Sequence, residues 1–130
     1  MTILLKRVYE PAATVDGYRV LVERLWPRGV SKERAALDRW VKDAGASDDL
    51  RKWFGHDPEK WEEFRSRYFT EIRKRPEVIA ELEEIIRENP VVTFLFAAHD
   101  EEHNNAVALR QFMNAEITGD GRFRGPLKYS

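Results

Sequence analysis

The spacing of apolar and polar positions changes several times along the chain, and each change marks an element. Ile3-Leu4-Leu5 forms an apolar run that ends in Lys6-Arg7. Val20-Leu21-Val22 follows the turn signal Asp16-Gly17 and ends in Glu23-Arg24. Val91 to Ala98 is continuous rather than alternating, the pattern of a strand covered on both faces. These three runs are predicted strands. Elsewhere the period is helical. Ser31 caps a predicted helix with the stripe Ala36, Leu37, Trp40, Val41 and Ala44, stopping near Gly45. Ser47 caps a shorter one carrying Leu50, Trp53 and Phe54, closed by Gly55. Asp57-Pro58 joins a capping carboxylate to a proline at the first helical position, and Trp61, Phe64, Tyr68 and Ile72 then recur on one face. Pro76 opens a helix carrying Val78, Ile79, Leu82, Ile85 and Ile86, ended by Asn89-Pro90. A last helix starts near Asp100 and buries Ala106, Leu109, Phe112 and Met113. On this pattern Trp40, Trp53 and Trp61 are core residues of helices.

This order predicts an α/β domain over residues 1–117, a small, mostly parallel three- or four-stranded sheet flanked by about five helices. The link from Lys6 to Arg19 is too short for a full crossover helix, which leaves the pairing of the first two strands open. Residues 118–130, with three glycines, a proline and no apolar period, read as a flexible or docking tail.

Composition adds exclusions. At 130 residues with 42% hydrophobic and 12% aromatic side chains, the chain has material for one core, which excludes a disordered chain. The run from Val91 to Ala98 is far short of the ~20 residues a bilayer requires, so no membrane span is expected. The absence of cysteine excludes disulfides, thiolate metal sites, iron–sulfur clusters and cysteine nucleophiles. The start, MTILLKRVYE, lacks the basic head and long apolar stretch of a secretory signal, and a cytoplasmic address is the expectation. Net charge is −1, so nucleic acid is not the expected partner. The charge is nevertheless uneven. Residues 1–36 carry seven basic side chains (Lys6, Arg7, Arg19, Arg24, Arg28, Lys32, Arg34) against four acidic ones, which points to the N-terminal third as the place for an anion.

Three segments carry chemistry. In Arg24-Leu25-Trp26-Pro27-Arg28-Gly29, at the end of the second strand, two guanidiniums flank an indole, a combination suited to a planar anion or a base. The alternative is a core Trp26 under the loop, with the arginines paired to Glu23 and Glu33. In Phe54-Gly55-His56-Asp57-Pro58 the loop histidine has an ordinary pKa near ~6.5 and suits acid–base work; the alternative is turn chemistry, with His56 filling a gap between two helices. In His99-Asp100-Glu101-Glu102-His103-Asn104-Asn105 two histidines flank carboxylates at a strand-to-helix junction. The segment fails the zinc-protease HExxH spacing, since Asp100 stands where glutamate belongs. A junction of this kind favours an anion, and His103, Asn104 and Asn105 are placed to face whatever occupies the strand ends. No glycine-rich phosphate loop or GxSxG elbow is present, and no cofactor is predicted.

The run from Asp16 to Gly29, DGYRVLVERLWPRG, resembles the signature of the YeaO-like branch of the domain-of-unknown-function 488 family (DUF488). Lys6-Arg7-Val8-Tyr9, the run from Leu50 to Asp57, Phe64 to Tyr68, and the run from Ala97 to Asn104 match that branch in order, so the resemblance covers residues 2–115. It implies an α/β domain without an established activity. Other branches of the wider family carry cysteines and a Cys-His-Arg run where this chain has His103-Asn104-Asn105, so thiol or metal chemistry does not carry over. Glu23 stands where relatives often have aspartate, which keeps the carboxylate.

The reading that follows is a polar pocket at the carboxyl edge of the sheet for a small anionic or nucleotide-like ligand, with hydrolase or transferase chemistry as its catalytic form. Arg7 and Arg28 hold the anion, Trp26 stacks, and Arg24, His99 and Asn104 complete the binding set. His103 or His56 moves a proton, oriented by Glu23. One alternative is a non-catalytic module binding nucleic acid or protein. Another is a metal-dependent enzyme using His99, Glu102 and His103. Homo-oligomerisation is left open.

Overall fold

The structure is a computed structural model, and residues 2–116 are described; the predicted tail, 118–130, lies outside them. Four parallel strands form one sheet in the order β1-β4-β2-β3, with β1 at Thr2–Arg7, β2 at Tyr18–Leu21, β3 at Arg39–Trp40 and β4 at Val91–Phe96. Five helices accompany them: α1 at Lys32–Ala35, α2 at Asp48–Phe54, α3 at Trp61–Arg73, α4 at Pro76–Glu88 and α5 at Asn105–Ala115. The predicted small α/β fold is the observed one.

The continuous apolar run is an inner strand, as its pattern requires. Ile3 pairs with Val92 on one side of β4 and Val20 with Phe94 on the other, so β4 separates the first two strands. That settles the open pairing: the short link between β1 and β2 holds only a single 3₁₀ turn, Thr14–Asp16, and the two strands are not neighbours. The two faces of the sheet are covered unequally. Val20, Val92, Phe94 and Phe96 face a large core shared with α2 to α5, to which α3 contributes Trp61, Phe64, Tyr68 and Ile72. Leu21 and Leu95 face a thin layer made of Val8, Val30, Ala35 and the half-buried Trp26, Leu37 and Trp40.

Two predicted helices need correction. The helix expected from Ser31 to Gly45 stops after Ala35, although Ser31 caps it as read, accepting a hydrogen bond from the Arg34 N–H. Ala36 turns left-handed (φ +48°), and the buried Arg19 guanidinium takes the last carbonyls, Nη2 to Ala35 O at 2.7 Å and Nε to Ala36 O at 3.1 Å. The chain then runs alongside β2 as β3, with Val20 opposite Arg39 and Leu21 opposite Trp40. Trp40 is therefore a strand residue. A helical period and a two-residue strand are not distinguishable by spacing when a distant arginine ends the helix. The last helix starts at Asn105, not near Asp100. Asp100 accepts the N–H groups of Glu102 and His103 in a turn, and Asn104 is the cap, accepting from the Val107 N–H at 3.0 Å. The fourth strand also ends earlier than read, at Phe96 rather than Ala98.

Candidate functional site

β2 and β4, the two inner strands, end side by side, and a cavity of about 650 Å³ opens where their chains leave the sheet. This is the crevice at the carboxyl ends of parallel strands, where ligands of open α/β sheets collect. Its shape depends on bonds between loops. The Ala97 N–H donates to Glu23 Oε1 at 3.1 Å, tying the loop after β2 to the loop after β4. Arg24 Nε donates to the carbonyls of Gly45 and Ala46 at 3.2 and 3.0 Å. Gly45 permits this approach, because a Cβ there would lie 2.6 Å from the Arg24 nitrogen. Asn105, at the start of α5, bridges the same pieces, accepting from the Ala46 N–H at 2.6 Å and donating to Val22 O at 3.0 Å.

The loop from Arg24 to Val30 forms one wall. Trp26 Nε1 donates to Val30 O at 2.6 Å and its ring meets Trp40 edge-on at 5.4 Å. The indole is thus fixed by its own loop with part of its surface toward the cavity. Tyr9 donates its hydroxyl to Arg28 O at 3.0 Å, which holds the far end of the loop. Phe54 and Phe64, with ring centroids 4.4 Å apart, also line the cavity.

Of the residues singled out in the sequence, Glu23, Arg24, Trp26, Arg28, His56, His99 and Asn104 line this one cavity. They serve different ends there. Arg24 is bonded to backbone carbonyls and sits 3.6 Å from Asp43, and Asn104 is committed to capping α5 while donating to Asp100 O at 2.9 Å. Arg28 is exposed, and its guanidinium has no hydrogen-bond or ion-pair partner among the described residues. His56 is exposed at the rim with φ +58°, directly after the left-handed Gly55.

Two candidates lie outside the lining. Arg7 donates to the carbonyls of Ala98 and Ala97 at 2.9 and 3.3 Å, bracing the end of β4 rather than facing the cavity. His103 Nδ1 sits 2.9 Å from Asp100 Oδ2, and its ring lies edge-on to Trp61 at 5.4 Å. Neither hydrogen bond of His103 reaches Glu23, so the expected relay between them is not assembled. Among the described residues no group of three His, Asp or Glu side chains is placed to hold a metal ion. Asn105, expected to face the strand ends, also lines the cavity, whereas Arg51, Phe54 and Phe64 belong to the lining and were not picked out as binding residues. Phe54 and Phe64 read as helix-stripe positions, and nothing in spacing marks the cavity side of a stripe.

Glu23 is electrostatically the most unusual residue of the site. Burial raises its carboxyl pKa from 4.5 to about 7, against the opposing effects of the Ala97 N–H and the Arg51 charge. The neighbouring Arg24, which the sequence places beside it, is turned to Gly45 and Ala46 and gives it no ion pair. Asp100 is held below its usual value by hydrogen bonds from the Glu102 N–H and the His103 side chain.

Comparison with known proteins places this sequence in a family. A model of DUF488-N3i, described as "Inactive DUF488-N3 subclade", matches residues 2–126. The chain belongs to the DUF488-N3i family. The match reaches beyond residue 115, where the motif resemblance ended, into the tail. The Escherichia coli K12 uncharacterized protein YeaO is 38% identical over 115 residues, 88% of this chain and 99% of YeaO. Two mycobacterial relatives, the uncharacterized proteins Mb3100c of Mycobacterium bovis and Rv3073c of Mycobacterium tuberculosis H37Rv, are each 39% identical over 108 residues, covering 83% of this chain and 90% of theirs. No solved structure matches. The YeaO-like resemblance read from the motifs is therefore shown, and the DUF488-N3i relatives are themselves uncharacterised. No helix among the described residues is long and apolar enough to cross a membrane.

Proposed function

We propose that the cavity binds a small molecule carrying an anionic group, and that the protein holds this ligand rather than transforming it. The observation that carries the reading is Arg28, an exposed guanidinium without a partner among the described residues, at a cavity walled by Trp26, Phe54 and Phe64. A volume of about 650 Å³ is ample for a ligand of a few hundred daltons. Holding rather than transforming is supported by the family description, "Inactive DUF488-N3 subclade". It is also supported by a lining without Ser, Thr, Cys or Lys among the described residues, whose one hydroxyl, that of Tyr9, is donated to Arg28 O.

The test is thermal unfolding of wild type and Arg28→Ala with a set of phosphate-bearing compounds. A ligand at 100 times its dissociation constant stabilises wild type by about 2.7 kcal/mol and raises the variant's melting temperature much less. Without ligand, the variant stays within about 0.5 kcal/mol of wild type, because an exposed unpaired charge contributes little. A variant that loses several kcal/mol, together with no anion stabilising wild type, overturns the reading and makes the Arg24–Gly29 segment a folding motif.

A second reading, proton-transfer catalysis of the hydrolase or transferase kind, draws on Glu23, whose pKa of about 7 suits an acid–base group. Conversion of a bound ligand, lost in Glu23→Gln with binding retained, decides for it.

A further inference from the structure

Glu23 poses a question that anion binding does not answer. A carboxylate set among apolar walls normally has a cation or several donors for company, since an isolated buried charge is costly. Here one oxygen receives a single N–H, from Ala97, and no side chain of the described residues hydrogen-bonds or ion-pairs with the carboxylate. The charged and titratable groups around it are accounted for, Tyr9 by its hydroxyl's bond to Arg28 O. Arg24, its neighbour in the chain, is spent on the carbonyls of Gly45 and Ala46. Arg51, from α2, is exposed and paired with Asp48 at 3.0 Å. His56 and His99 are exposed at the rim, and Asp100 is bonded to His103 and to two backbone N–H groups. Glu23 thus retains acceptor capacity inside the cavity that the protein does not use. The same cavity offers flat aromatic surfaces and, at Arg28, an unspent donor for an anion.

Resting on the anion-binding reading above, we propose that Glu23 is the specificity residue of this pocket and that the ligand is a nucleotide with a guanine-type base. Its adjacent ring N–H and amino group donate to the Glu23 carboxylate, its ring lies against Trp26 and Phe54, and its phosphate meets Arg28. Two parallel N–H···O bonds to one carboxylate are the short, charge-assisted kind that a planar base edge supplies. An adenine-type edge presents an acceptor where guanine presents a donor and sets a lone pair against the carboxylate. A site built for donors rejects such an analogue strongly. Protonated Glu23 has one donor and one acceptor and suits the adenine edge instead, so the preference between the two bases follows the charge on Glu23.

The experiment is calorimetric titration of the full chain with GMP, IMP, AMP and inorganic phosphate at pH 6 and pH 8. At pH 8 the expected order is GMP, then IMP, which lacks the amino group, then AMP, with GMP at least about tenfold tighter than AMP. At pH 6 that ratio shrinks toward unity. The phosphate's own second ionisation, near ~6, affects all three nucleotides alike and cancels in the ratio. Glu23→Gln, whose amide has the donor and acceptor of the protonated acid at both pH values, removes the guanine preference in favour of AMP and abolishes its pH dependence, whereas Arg28→Ala weakens all three nucleotides without changing their ratio. Because the ligand series is run on wild type, the outcome does not depend on either variant folding. Equal binding of the three nucleotides, lost in Arg28→Ala and untouched in Glu23→Gln, overturns the assignment of Glu23 and leaves the anion pocket standing. Failure of every nucleotide while another phosphate compound binds overturns the guanine assignment alone. Failure of every anion overturns both.

Discussion

Two carboxylates stand at opposite ends of β2, and the protein treats them in opposite ways. Asp16, just before the strand, is 3% exposed and saturated with donors: Lys6 Nζ at 3.1 and 3.2 Å, Arg19 Nη1 at 2.5 Å and the Ala13 N–H at 2.9 Å. Burial alone would raise its pKa, but the Ala13 N–H and the Lys6 and Arg19 side chains together hold it below the usual value. Glu23, just after the strand, has one backbone donor and a raised pKa. The first arrangement is what stability requires of a buried charge. Asp16 closes a network that also fixes the end of α1 through Arg19 and orients β4 through Thr93, whose hydroxyl donates to Asp16 O at 2.6 Å. The second leaves a charge uncompensated at the mouth of a cavity, and perturbed groups of that kind gather at binding and catalytic sites.

The contrast breaks most visibly at Asp16. Asp16→Ala leaves Arg19 buried without its carboxylate, and breaking a buried pair from one side costs about 3–5 kcal/mol. Urea unfolding at pH 7 measures the loss; a change below ~1 kcal/mol, the range of exposed pairs, would place this network with the surface charges. In wild type the Asp16 contribution is present above the ordinary carboxylate pKa of 3.8 and disappears as pH falls through the lowered folded value.

Glu23 runs the other way. Its folded pKa is raised, so its contribution is complete below 4.5 and lost as pH rises through about 7. Glu23→Gln keeps an acceptor for the Ala97 N–H and removes the charge. The variant is expected to match wild type near pH 4 and to exceed it at pH 8, by up to about 3 kcal/mol given ~1.4 kcal/mol for each pKa unit. Denaturant curves at the two pH values check this, and a variant destabilised at pH 8 would mean that the carboxylate is compensated in the empty protein.

Asn104 sharpens the comparison with the smallest effect. It lines the cavity, yet both ends of its amide are used in the α5 cap. Asn104→Ala is expected to cost about 1 kcal/mol of stability. Ligand-induced stabilisation is retained, as read by thermal shift with the same compounds; its loss would move Asn104 from scaffold to binding surface.

Much of this was legible in the chain. The stripe Trp61, Phe64, Tyr68, Ile72 and the caps Ser47 and Asn89-Pro90 depend on contacts within a few residues, so spacing alone located α2, α3 and α4. The unbroken run at β4 identified an inner strand, because a strand covered on both faces cannot afford alternation. Seven of the nine residues picked as a pocket line one cavity, because they lie at strand ends and in the loops beyond them. What spacing could not supply were interactions between distant segments. Arg19 ends α1 by bonding Ala35 and Ala36, and that contact turns Trp40 from helix to strand. Arg7 and His103 had the right chemistry, but the fold points one at the carbonyls of Ala97 and Ala98 and the other at Asp100. The sequence by itself determined which residues are apolar, where the period changes and which groups can ionise. Only the tertiary structure decided that Asp16 pairs with two cations and that Glu23 pairs with none among the described residues, because hydration and partnership belong to the space around a group and not to its neighbours in the chain.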